Sequence, residues 1–277
     1  MTFFQLLKIS SLPPKETEIL VTFLLHKNRE FLLTHLETKI SLPLLKKFKK
    51  LEKKRLLGWS IAALIGQKEF YSLNFKVDKN VLVPRPETEM IVDEILKEAE
   101  NDSLIIDLGT GSGAIIIALA KNFKTTKNRF LAVDISSRAL KIAKQNAKLH
   151  RLDKNIKFFQ GNLLAPILKL LPNKKLIIAA NLPYLTKTQI NNSPSIKREP
   201  KLALDGGRDG LKYYQALFKQ LKPVKYKALE LLIEIDPSQT AKIKTLAKQY
   251  FSPKCLKIKK DLAGRNRLLI IKKTSAK

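Results

Sequence analysis

The sequence predicts an α/β fold. A mostly parallel seven-stranded sheet, covered by helices on both faces, follows a small N-terminal helical domain and a β-hairpin linker. Three observations predict it. From residue 104 onward short apolar runs alternate with amphipathic stretches, the pattern of strand–helix units in a parallel sheet. Residues 1 to 66 instead place apolar residues at helical spacing. Between these two regions the apolar period shortens to two.

In the first region Ile19, Leu20, Phe23 and Leu24, then Phe31, Leu32 and Leu36, mark helical faces, with Pro13, Pro14 and Pro43 as punctuation. "LKKFKKLEKKRL" (45–56) reads as a basic helix, either a solvated face or a contact surface for a partner. Residues 67–86 form the linker. Phe70, Ser72 and Asn74 alternate, Phe75 and Val77 follow, and Asp78-Lys79-Asn80 is the expected turn of a hairpin. Residues 87–277 form the main domain. It opens with a helix over 87–100, "ETEMIVDEILKEAE", acidic in its first turn. Strands are predicted at Leu104–Leu108, Phe130–Asp134, Ile156–Gln160, Leu176–Ala180, Ala228–Ile235, Leu256–Lys259 and Arg267–Lys272. Helices lie between them, among them Ser137–Leu149 and Gly210–Leu221. Asp236 followed by Pro237 predicts a helix start, with an acceptor at the cap and proline at the first position.

Composition narrows the function classes. Of 277 residues 44% are hydrophobic, enough for a full core, yet no apolar run reaches the roughly 18 residues of a membrane helix. The N-terminus lacks a basic start and a small-residue cleavage site, so no signal peptide is expected. Cys255 is the single cysteine, which excludes a disulfide framework and a cysteine-based zinc cluster and points to a reducing, cytoplasmic setting. The histidines at 26, 35 and 150 have no ligand spacing, so no metal is expected. The net charge of +29, from 53 Lys+Arg against 24 Asp+Glu, admits a polyanionic partner. Lysines spread over every segment are equally explained by composition, because directed phosphate readers concentrate arginine.

The chemistry-bearing stretches sit at strand ends. "LIIDLGTGSGAIIIALA" (104–120) is an apolar strand, a turn with Gly109, Gly111 and Gly113, then an apolar helix. A tight turn where a ligand meets backbone needs residues without a Cβ. Asp134 ends the next strand, where a carboxylate can accept both hydroxyls of a ribose. A plain turn remains the alternative for the glycines. A helix cap is the alternative for Asp134, although Ser136 can fill that role. Together the pattern resembles the Rossmann-like methyltransferases that use S-adenosyl-L-methionine (SAM).

"NLPY" (181–184) follows the strand that ends "KLIIAA". Ligands of open α/β sheets bind outside the carboxyl ends of strands, so Asn181 is expected to face the cofactor. The tetrapeptide resembles the (Asp/Asn/Ser)-Pro-Pro-(Tyr/Phe/Trp) motif of enzymes that methylate planar nitrogen. Such a nitrogen shares its lone pair with a π system and becomes positive as it attacks. Acceptors aimed at its N–H protons, here the Asn181 side-chain oxygen and the Leu182 carbonyl, then strengthen in the transition state. Pro183 fixes φ, and Tyr184 offers a flat face to a planar group. The alternative is a turn with Asn as turn former and Tyr as core.

Three further stretches carry a closer resemblance. "VLVPRPETE" (81–89), "REPKLALDGGRDGLKYY" (198–214) and "DLAGRNR" (261–267), with "IGQKEFYSLNFKVD" at the domain junction, resemble the HemK/PrmC-type protein-(glutamine-N5) methyltransferases. The resemblance covers about residues 50 to 272. It implies SAM-dependent methylation of the glutamine in the Gly-Gly-Gln motif of class I peptide chain release factors by a monomeric cytoplasmic enzyme. Asn181 and the Leu182 carbonyl then receive the amide, and Pro183 and Tyr184 shape its slot. Gly109, Thr110, Gly111, Ser112 and Gly113 line the methionine part of SAM. Asp134 takes the ribose, Asn162 meets the adenine and Leu163 packs on it. The N-terminal helices imply a docking surface for the release factor, with Lys and Arg of 45–55 as candidates. Leu182 stands where the family has its first proline. Asn-Leu-Pro-Tyr also resembles ribosomal RNA adenine dimethyltransferases, so nucleic-acid methylation is the rival reading, and a SAM-binding module without activity is a third. The RNA enzymes place their helical domain last and lack "PRPETE" and "LDGGRDG".

Overall fold

In the computed structural model, which describes residues 1–98, 102–123, 127–193 and 196–274, the chain forms two compact units. One comprises Met1–Gln67 with Ser193–Arg198, the other Lys68–Asn192 with Glu199–Lys277.

In the first unit the helices are α1 (Phe3–Ile9), α2 (Pro14–Leu25), α3 (Arg29–Thr34), α4 (Leu42–Leu56) and α5 (Ile61–Ile65). Their starts follow local chemistry. Thr2 and Gln5 cap α1 reciprocally, Asn28 and Ser60 cap α3 and α5, and prolines open α2 and α4. Phe3, Leu6, Leu20, Val21, Leu32 and Phe48 form the core. The basic helix α4 turns Phe48 and Glu52 inward. Glu52 is satisfied by Ser10 Oγ at 2.8 Å, the Ser11 amide at 3.0 Å and Lys49 Nζ at 2.7 Å. Lys46, Lys47, Lys50, Lys53 and Lys54 are exposed.

β1 (Gln67–Phe70) and β2 (Leu73–Lys76) form the expected two-stranded sheet. Its turn is Tyr71–Ser72, at φ 51° and 58°, rather than Asp78–Asn80. A two-residue hairpin of this kind needs positive φ at both central positions and is usually signalled by Asn-Gly, so Tyr-Ser gives no warning. Asp78 closes a separate turn by accepting from the Asn80 amide at 2.8 Å.

The second unit continues with a 3-10 turn at Pro86–Thr88 and α6 (Glu89–Glu98). Residues 99–100 of the helix expected over 87–100 lie outside the described residues. Next come β3 (Leu104–Leu108), α7 (Ala114–Asn122), β4 (Arg129–Asp134), α8 (Ser137–Leu149), β5 (Ile156–Gln160), β6 (Lys175–Ala180) and α9 (Lys187–Asn191). α10 (Lys212–Leu221), β7 (Ala228–Glu234), α11 (Thr240–Lys248), β8 (Leu256–Lys260) and β9 (Asn266–Thr274) complete it. α10 begins two residues later than expected because Gly210, at φ 77°, is not helical. Asp236 accepts from the Ser238 amide at 2.8 Å, but the turn it caps is 3-10 and α11 follows it.

The seven strands form one sheet in the order β5-β4-β3-β6-β7-β9-β8. All neighbours are parallel except β9, which is antiparallel to β7 and β8. Alternate residues serve opposite faces. Leu104, Ile106 and Leu108 pack with Leu217 and Phe218 of α10 and Ile243 of α11. Ile105 packs with Ile91 and Ile95 of α6 and Ile116 of α7. Strand order reverses between β3 and β6, whose last residues pair, Leu108 with Ala180. The glycine turn after β3 and the NLPY loop after β6 therefore start side by side, where ligands of such sheets bind. No helix among the described residues is long and apolar enough to cross a membrane.

Candidate active site

A cavity of about 350 Å³ opens at this switch point. Of the residues assigned above to cofactor or substrate, all but Gly113 and Tyr184 line it. Gly113 instead caps α7. The two loops interlock. A Cβ on Gly109, which sits at φ 71°, would lie 3.1 Å from Leu182 Cδ2. The Gly109 and Thr110 amides both donate to the Val133 carbonyl, at 2.9 and 3.0 Å, which ties the turn to β4.

Asp134 is 9% exposed. One oxygen accepts from the Gly111 amide at 2.9 Å and the other from the Ser136 amide at 2.8 Å. Ser136 is the cap of α8, so Asp134 is spared that role but braces the glycine turn. Burial pushes its carboxyl above the usual range, opposed by those backbone N–H groups. Asn162 stands exposed at the rim. Leu163 is buried at φ 55°, a strained conformation for a branched side chain beside the cavity.

Asn181 is oriented by two residues that local pattern did not reveal. Its Nδ2 donates to Thr88 Oγ1 at 2.9 Å and to Glu234 Oε2 at 3.0 Å. Thr88 spends its hydroxyl proton on the same Glu234 oxygen at 2.6 Å. A hydroxyl that has donated can only accept, so the amide nitrogen of Asn181 must face it and Oδ1 is turned away from these partners. Tyr184 lies behind the cavity, its hydroxyl donating to Glu234 Oε1 at 3.0 Å. Burial and the Glu234 carboxylate push the Tyr184 pKa far up, so it stays a neutral donor. Among the described residues Tyr213 is the aromatic one that lines the cavity.

A family profile described as "PrmC N-terminal domain" matches residues 3–66, and one described as "Methyltransferase domain" matches residues 99–231. The release factor glutamine methyltransferase of Dictyoglomus turgidum is 36% identical over 272 residues, covering 95% of this chain and 93% of that protein. Its namesake from Coxiella burnetii is also 36% identical over 272 residues, covering 97% and 95%. The chain belongs to the release factor glutamine methyltransferase family. The catalytic domain of human METTL16 shares the fold, with a TM-score of 0.57 at 14% identity over 92% of this chain and 90% of that one.

The motifs of this release factor glutamine methyltransferase family member acquire physical roles. Arg85 of "PRPETE" pairs with Glu199 of "REPKLA" at 2.6 Å, and Thr88 reaches Asn181 and Glu234. "LDGGRDG" cradles the NLPY loop from outside. A Cβ on Gly206 would sit 2.7 Å from both the Pro183 carbonyl oxygen and Tyr184 Cα. Gln239 donates to the Tyr184 carbonyl at 2.6 Å. Asp261 of "DLAGRNR" accepts from the Ala263 and Arg265 amides at 3.0 and 2.9 Å, closing the turn before β9. Asn146 on α8 accepts from the Lys76 amide at 2.8 Å and donates to the Ser112 carbonyl at 2.8 Å, joining β2 to the glycine turn. A polar residue on the buried face of a helix was the only advance signal of Asn146, and an acid inside the apolar run "LELLIEI" the only one of Glu234.

Proposed function

We propose that this chain transfers a methyl group from SAM to the side-chain nitrogen of the glutamine in the Gly-Gly-Gln motif of class I release factors. The observation that carries the reading is the commitment of the Asn181 nitrogen to Thr88 and Glu234, in a residue that lines the cavity. It leaves an acceptor where a carboxamide needs one.

The residues present fit SAM. The glycine turn keeps the cavity wall free of side chains, Asp134 supplies acceptors, and about 350 Å³ is the size of a small-molecule site. Gly109 to Ser112 would hold the methionine part, Asp134 the ribose, and Asn162 and Leu163 the adenine. SAM supplies, when bound, an electrophilic methyl on a sulfonium. Asn181 Oδ1 and the Leu182 carbonyl accept from the amide protons and hold the nitrogen in line. Both bonds strengthen as the nitrogen becomes positive. The extra proton leaves after transfer, so no strong base is needed beforehand. Pro183 shapes the slot, and Tyr184 holds the loop through Glu234.

Residues 1–66 serve as the docking domain for the factor, with the exposed lysines of α4 as its contact face, residues 67–86 as linker and 87–277 as catalytic domain. The enzyme acts as a monomer in the cytoplasm, a setting supported by the free Cys255. Incubation with labelled SAM and either a release factor or ribosomal RNA tests the reading. Label is expected in the factor's glutamine, and label in RNA but not in the factor would overturn it.

A further inference from the structure

Glu234 ends β7 at 2% exposure, and its carboxylate gathers donors from two separate stretches of chain. Thr88 and Asn181 donate to Oε2 at 2.6 and 3.0 Å, and Tyr184 donates to Oε1 at 3.0 Å. The Tyr214 hydroxyl, from α10, donates to the Glu234 backbone carbonyl at 2.7 Å. Arg267 of β9 faces the carboxylate with the favourable sign, and Glu87 with the unfavourable one. Asp236 adds negative charge at the Tyr184 and Tyr214 hydroxyls.

A buried charge is costly, and a neutral side chain of the same shape commonly serves a fold as well or better. Glutamine fits this position. Its oxygen can accept from Thr88 and Asn181, and its NH2 can donate to a reoriented Tyr184 hydroxyl. Packing and hydrogen bonding therefore do not demand a carboxylate, whereas the reaction gains from one. An amide that donates to an anion shifts electron density toward its own oxygen, because linked hydrogen bonds polarise each other in a low-dielectric interior. The charge also lies one side chain from where positive charge develops.

We propose that Glu234 is a positioning residue that orients Asn181 and polarises it, so that Oδ1 becomes a stronger acceptor for an amide whose nitrogen is turning positive. This rests on the glutamine-methylation reading and deepens it. Asn181 touches the substrate, Glu234 acts through Asn181, and Thr88 completes the triangle that fixes the amide.

The test is Glu234→Gln. With release factor as substrate, kcat falls roughly tenfold, the difference between a charge-assisted and a neutral hydrogen bond. KM for the factor and Kd for SAM change less than about twofold, because uniform binding is untouched. In an Asn181→Ala background the same change costs nothing further, since its route is gone. A second readout needs no substrate. The side-chain NH2 resonances that vanish in Asn181→Ala lie downfield in the wild type and move upfield in Glu234→Gln. Wild-type kcat in Glu234→Gln, unmoved amide resonances, or losses that multiply with Asn181→Ala would each overturn the proposal. If the wild type leaves release-factor glutamine unlabelled, the glutamine reading fails, and the NMR shift still decides whether Glu234 polarises Asn181.

Discussion

Asp107 measures what a buried acid costs this fold. It lies in β3 below the glycine turn, fully buried, and its Oδ2 accepts from Thr110 Oγ1 at 2.6 Å. Its Oδ1 has no hydrogen-bond partner among the described residues. Burial pushes its pKa from 3.8 to about 7, with Asp134 adding to the rise, while Thr110 and the Ile116 amide pull against it. A rise of about three units corresponds to about 4 kcal/mol. The sign follows from proton counting. Between the unfolded and folded pKa the native state holds one more proton, so stability falls as pH rises from about 4 and levels off above about 7. Asp107→Asn keeps an oxygen for Thr110 and stays neutral throughout. Unfolding free energies of variant and wild type, from urea titrations at pH 5 and pH 8, should therefore diverge in the variant's favour by about 3 kcal/mol over that range. Other carboxylates cancel in the comparison. A constant cost from a new unpartnered amide nitrogen, about 1–3 kcal/mol, leaves the divergence unchanged. A difference between the two proteins that does not vary with pH would refute the account of Asp107.

Three other perturbations address the site directly. Asn181→Ala should lower kcat about a hundredfold, or about 3 kcal/mol, with SAM affinity by calorimetry changed far less; equal losses would make Asn181 a cofactor holder. Gly206→Ala places a methyl 2.7 Å from backbone atoms of Pro183 and Tyr184, so the NLPY loop must shift. Its kcat should fall at least about tenfold, because misplacement by an ångström costs up to about a hundredfold, and unchanged turnover would show that the loop tolerates displacement. Burial raises the Glu234 carboxyl above the usual range, against the pull of Thr88, Tyr184 and Arg267. The anion that polarises Asn181 is thus complete at high pH and lost as pH falls through the raised value, so wild-type kcat should decline there while that of Glu234→Gln stays flat.

Sequence carried the scaffold further than the wiring. The strand cores were legible because buried parallel strands are continuous apolar runs, as in "LIIDL" and "KLIIAA". Their ends were misplaced by a residue or two where charged residues such as the exposed Arg129 and the half-buried Lys175 extend the backbone ladder. The glycine turn and NLPY were legible because both pair unusual residues with strand ends. Thr88 and Glu234 were not, because they meet Asn181 across separations of 93 and 53 residues, and no local pattern records such a meeting. "PRPETE" and "LDGGRDG" marked a family without explaining it. Their physical content, an arginine for Glu199, a threonine for Asn181 and a glycine under Pro183, exists only once β6 and β7 lie side by side.

Leu182, where the family resemblance leads to the expectation of a proline, shows how the loop keeps its geometry. Proline contributes stiffness mainly by restricting the unfolded chain, an effect of about 0.4–1 kcal/mol at a compatible site. Leu182 is 3% exposed and sits in the core cluster with Leu163, Leu164 and Tyr214. Burying a leucine contributes about 2 kcal/mol, which exceeds that stiffening increment. Packing therefore replaces covalent restraint, and the Leu182 carbonyl is fixed because its side chain is anchored below it. That anchor lies 3.1 Å from where a Cβ on Gly109 would stand, closer than side chains normally approach. The glycine at 109 thus serves the NLPY loop as much as its own turn. The two halves of the site are one packed object, so a change on either side is felt by both.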